Sequence, residues 1–100
     1  MIEKNSRASQ RFKAKPGTNA YYVEGAGAIR DLSMDGVFIL DDEPLPAGTR
    51  ISFSLRLGAH DLSLQGIVRR SAAEEGMAIQ FTEMSHEARR HLRLHIASLP

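Results

Sequence analysis

Arg7 and Arg11 stand four residues apart in the stretch RASQR, where no strand or helix pattern accounts for them. A guanidinium group is a planar fork of donors that grips phosphate, or the Hoogsteen edge of guanine, with two bonds at once. Two such groups at this spacing suit either a multivalent anion or a plain solubilising arm. Further on, Asp31-Leu32-Ser33-Met34-Asp35-Gly36 forms the pattern D-x-S-x-x-G. Asp and Ser hold turns through their own backbone, and Gly36 permits a positive φ or a close backbone approach.

The other reactive side chains point away from catalysis. There is no G-x-S-x-G elbow and no glycine-rich phosphate loop ahead of a helix. Carboxylates cluster only as Asp41-Asp42-Glu43 and Glu74-Glu75, both in turn-like segments where solvated acids are the rule. Glu87, His91 and His95 follow each other at helical spacing, and three ligands with an open position would suit zinc. The order is not H-E-x-x-H, however, and His95 falls within an apolar face. It reads as a packed, hydrogen-bonded histidine, with His60 and His86 at the surface. With no cysteine in the chain, disulfides, thiolate metal sites and thiol nucleophiles are excluded together.

These residues need elements to position them. Residues 1–18 carry Lys4, Arg7, Arg11, Lys13 and Lys15, with only Ile2 and Phe12 as bulky apolar groups, and end on Pro16-Gly17. Such a segment cannot bury enough surface to fold alone and is expected to be a flexible basic arm. From Ala20 the apolar period becomes two. Tyr21 to Glu24 alternate, Gly25-Ala26-Gly27 breaks or bulges the strand, and Val37 to Leu40 is short and apolar. Ile51, Phe53, Leu55 and Leu57 share one face; after Gly58-Ala59, Leu62, Leu64 and Val68 resume the alternation, with Gly66 as a bend. Met77, Ile79 and Phe81 close the series. With Ala28-Ile29-Arg30 between the first two of these segments, six short strands with regular turns predict an all-β fold, an antiparallel barrel or sandwich. Met84, Ala88, Leu92, His95, Ile96 and Leu99 then recur at helical spacing behind the N-cap Ser85, which predicts a C-terminal α-helix packed on the barrel.

With R-x-x-x-R, D-x-S-x-x-G and this strand series in hand, the chain resembles the PilZ domain family, the bacterial receptors for cyclic di-GMP. The likeness runs from Arg7 to Ile96. Val37-Phe38-Ile39 is similar to the strand that follows the serine motif in that family. Gly66-Ile67-Val68-Arg69 and Gly76 to Phe81 look like its later G-x-V-x-R and G-x-x-x-x-F strands. The resemblance implies a six-stranded antiparallel barrel over residues 19–100, with the arm 1–18 in front of it. It implies that Arg7 and Arg11 hold phosphate and a guanine face, while Asp31, Ser33 and the backbone near Gly36 meet a guanine edge. Arg69 or Arg70 would add charge. Many relatives carry another arginine before R-x-x-x-R; Ser6 stands there, which implies one bound ligand rather than a stacked pair.

Composition agrees with a small binding module. The 100 residues carry 13 basic and 12 acidic side chains, so no global field selects nucleic acid or a membrane surface. The 6% aromatic content gives few stacking platforms for a single-stranded nucleic-acid barrel. No segment has the apolar core of a signal peptide or the eighteen or so apolar residues of a membrane span. The expectation is a cytoplasmic cyclic di-GMP receptor with no cofactor, no metal and no enzymatic activity. It would act on an unidentified downstream protein as the ligand clamps the arm onto the barrel. The alternative is a PilZ-like adaptor that binds protein and no nucleotide.

Overall fold

The computed structural model describes residues 10–99. Its elements are β1 (Phe12–Lys13), β2 (Asn19–Tyr22), β3 (Gly25–Leu32), β4 (Gly36–Leu40), β5 (Arg50–Leu57), β6 (His60–Ala72), β7 (Gly76–Met84) and α1 (His86–Ala97). All strand pairs are antiparallel, in the order β3-β2-β5-β6-β7-β4, and β4 pairs back onto β3. This last pairing closes a six-stranded barrel, so none of the six is left as a bare edge. The expected barrel and C-terminal helix are both present.

Alternation decides what lies inside. Ile51, Phe53, Leu55 and Leu57 of β5 meet Leu62, Leu64 and Val68 of β6 and Met77 and Ile79 of β7 in one core. The β5–β6 hairpin turns in two residues, and Gly58 at its first loop position supplies the positive φ of 66° that such a loop requires. Helix α1 covers the barrel with Ala88 and Leu92 buried, and Leu99 beyond its C-terminus joins the same cluster. Ser85 caps it, its Oγ accepting from the Ala88 N–H at 3.0 Å.

Three details differ from the sequence pattern. The first hairpin turns at Val23-Glu24, so Gly25 to Gly27 are paired strand rather than a break. Asp31 and Leu32 belong to β3, which shortens the following turn to Ser33–Asp35. The C-terminal part of the basic arm is also part of the sheet. Phe12 pairs with Leu32 and Lys13 with Asp31, and the Ala14 N–H donates to the Arg30 carbonyl at 3.1 Å. Phe12 packs against the core, with the smaller Ala14 two residues on, and this is enough to dock a two-residue strand.

Candidate functional site

Two β-bulges build the outer face around β4 and β7. On β3 the register shifts between Ile29, which pairs with Ile39, and Asp31, which pairs with Phe38. Arg30 is the extra residue, so Arg30 and Asp31 both oppose Phe38. On β6 the register shifts between Val68, opposite Ile79, and Arg70, opposite Ala78. Arg69 is the extra residue there, and Arg69 and Arg70 both oppose Ala78. Phe38 and Ala78 are themselves partners across β4 and β7. One row of the sheet thus reads Arg30/Asp31, Phe38, Ala78, Arg69/Arg70. Three strand spacings of about 4.8 Å put its two charged margins about 14 Å apart.

At the β3 margin, Asp31 is gripped from both sides. Arg11, brought alongside by β1, donates from Nε to Oδ1 at 2.8 Å and adds a second bond from Nη2 to the same oxygen. Arg30 donates from Nε to Oδ2 at 2.7 Å. Burial pushes the Asp31 carboxyl up, but hydrogen bonds from Arg30 and Arg11, with their charges, outweigh it and hold the group below the usual carboxylate range. The Arg30 guanidinium lies 3.8 Å from the centre of the Phe38 ring, and its Nη1 is 3.5 Å from Glu75 Oε2. Phe38 is buried outside the core cluster, under this arginine. At the far margin, Arg69 Nε donates to Gln80 Oε1 at 2.5 Å.

Ser33 and Gly36 form the corner beneath. Ser33 is buried, and its Oγ accepts from the N–H groups of Asp35 and Gly36 at 3.1 and 3.2 Å. Its own N–H donates to the Gly36 carbonyl at 2.9 Å. A Cβ on Gly36 would lie 2.4 Å from the Ile79 carbonyl oxygen, so glycine is needed for β4 to approach β7. Of the residues singled out in the sequence, Arg11, Asp31, Ser33 and Gly36 are therefore contiguous, with Arg69 and Arg70 across the same row. Arg7 lies outside the described residues. Arg30 and Phe38 were not singled out, because each looked like an ordinary strand residue. The arginine directly before D-x-S-x-x-G was the available signal.

The PilZ domain profile matches residues 5–98, essentially the whole chain. The chain belongs to the PilZ domain family. No curated protein matches it. Among solved structures, this PilZ domain is similar to an uncharacterized Legionella protein, with a TM-score of 0.65 and 19% identity. That match covers 88% of this chain and 90% of the other, and it carries the fold alone. Among the described residues no helix is long and apolar enough to cross a membrane.

The histidines of the PilZ helix sit elsewhere. His91 faces His60, with ring centres 4.6 Å apart, and lies 3.7 Å from Glu87. No group of three or more metal-ligating side chains is found among the described residues. His95 is packed as expected but not hydrogen-bonded through Nε2, which is buried with no partner. His95 also lines a recess shared with Leu57, His60, His91 and Leu94.

Proposed function

We propose that this PilZ domain is a receptor for cyclic di-GMP with no catalytic activity of its own. The observation that carries the reading is the meeting of Arg11 and Asp31, from motifs separated in the chain, at one margin of an outer face whose other margin holds Arg69 and Arg70. Cyclic di-GMP is a dianion with two guanines, and it needs guanidinium forks together with an acceptor for guanine N–H groups. Arg7 and Arg11 hold phosphate and a guanine face. Asp31 accepts from a guanine edge. Ser33 and Gly36 act from below by fixing the corner and keeping its outer side free of side chain.

In the ligand-free chain the donors on Asp31 are arginines. A guanine edge offers a similar planar pair of N–H donors, so binding exchanges one pair for another and frees Arg11 for phosphate. Four residues span at most about 14 Å, which tethers Arg7 close enough to engage the same ligand. Drawing both arginines onto one anion clamps the arm against the barrel and changes a surface that a downstream protein reads. Calorimetric titration with cyclic di-GMP, with GTP and cyclic GMP as controls, tests the reading. The expected outcome is selective binding that saturates at one ligand per chain, in keeping with Ser6. No response to any of the three would assign the chain to the adaptor role.

A further inference from the structure

Arg30 is held in a way that a solvent-facing salt bridge does not require. The β3 bulge seats it opposite Phe38 and keeps Asp31 beside it on the same outer face, where plain alternation from Ile29 would have turned Asp31 inward. One face of its guanidinium rests on the Phe38 ring at 3.8 Å, and its edge is fixed by Asp31 at 2.7 Å and Glu75 at 3.5 Å. The side chain still keeps 47% of its surface open, which leaves the second face of the plane toward solvent. A guanidinium is weakly hydrated, flat and delocalised, and it stacks on π systems on either face. Phe38 is itself 5% exposed, so the aromatic ring is not what the surface offers. What it offers is the cation lying on it.

We propose that Arg30 is a third arginine of the ligand site, a plate seated on Phe38 on which a purine base of the cyclic dinucleotide stacks. This rests on the reading of the chain as a cyclic di-GMP receptor. The plate lies beside the carboxylate that accepts from the base edge, so one purine meets Arg30 through its face and Asp31 through its edge. Stacking of this kind is indifferent to which purine is bound, because every base has a π face, whereas the contact to Asp31 discriminates. The two neighbours therefore divide affinity from selectivity.

Arg30→Lys separates these roles, since lysine keeps the charge and loses the plane. Titrations with cyclic di-GMP and cyclic di-AMP, and a thermal melt as a check on folding, are run on the wild type, Arg30→Lys and Arg30→Gln. Both variants are expected to melt near the wild type and to bind cyclic di-GMP about 10-fold or more weakly, with the ratio of the two affinities unchanged. Affinity close to wild type in Arg30→Lys would overturn the inference and leave the receptor reading intact. A fall in the ratio toward one would also overturn it, because Arg30 would then act only by positioning Asp31. A wild-type chain that binds neither dinucleotide would overturn the receptor reading and this inference with it.

Discussion

Asp31 is the residue on which the proposed site turns, because an acid on a surface proposed to take an anion has two uses: accepting N–H donors from a guanine edge, or holding the arginines around it. Both its oxygens are engaged by guanidiniums in the free chain. Asp31→Ala is expected to weaken cyclic di-GMP binding and to lower discrimination against cyclic di-AMP, as measured by paired titrations. Lower affinity with unaltered discrimination would mean that Asp31 serves only to hold the arginines. Arg11 keeps 43% of its side-chain surface exposed, so its pair with Asp31 contributes at most about 1 kcal/mol to folding. In a closed complex the same guanidinium is desolvated, and losing it costs on the order of 2–5 kcal/mol, or roughly 30-fold to several thousand-fold in affinity. Arg7→Ala and Arg11→Ala should each weaken binding on that scale, while thermal melts of the free proteins stay within a few degrees of the wild type. Retained affinity in both would sink the assignment.

At the scale of elements, two bulges and one helix matter most. The bulges on β3 and β6 each insert one residue opposite the central β4–β7 pair, and each thereby doubles the charged side chains at that margin. Alternation from the core-facing Ile29 and Val68 would have turned Asp31 and Arg70 to the interior side. The helix carries a different liability. Burial, and then the positive charge of Lys15, holds His95 below its ordinary 6.5. Lys15 is kept nearby by its bond to Ser98 Oγ at 3.3 Å. Protonating His95 is harder in the fold than in the unfolded chain, so its contribution to stability is full above pH 6.5 and is lost as the pH falls below that value. The melting temperature should therefore decline from about pH 7 to about pH 5, and His95→Gln should flatten part of that decline. An unchanged slope in the variant would remove His95 as the cause.

For the whole molecule, the distribution of charge matters more than its sum. The basic margin adjoins a recess of about 500 Å³ lined by Asp41, Asp42, Glu74 and Glu75, and the contact between Arg30 and Glu75 joins the two regions. In the proposed receptor this pattern would favour an anion at the arginine margin and disfavour it at the acidic recess. The arm divides in the same way. Removing residues 1–9 takes Arg7 and leaves Phe12 on the core, so the barrel should melt like the full chain and bind as weakly as Arg7→Ala. Removing residues 1–13 also takes Arg11 and the Phe12 anchor, and should abolish binding and lower the melting temperature by about 5–10 °C. Differential scanning fluorimetry and calorimetry on the two truncations would check this. Equal melting temperatures would mean that β1 adds nothing to the fold.

The sequence by itself determined the period-two strands, the capped helix and the two motifs, because alternation, capping and turn chemistry are local. Ile51 to Leu57 and Ser85 needed no partner to be interpreted. It also supplied Arg11, Asp31, Ser33 and Gly36 as one set, through their match to a family pattern. Only the tertiary structure decided that Phe12 anchors the arm, since a lone aromatic in a basic stretch has no period. It alone decided that Ser33 and Gly36 lie beneath the surface while Asp31 lies on it, because burial depends on β7 passing behind them. The bulges were likewise invisible, for a bulge is a mismatch between two strands and neither strand's residues carry it alone. That mismatch is what keeps Asp31 beside Arg30, which lies on Phe38.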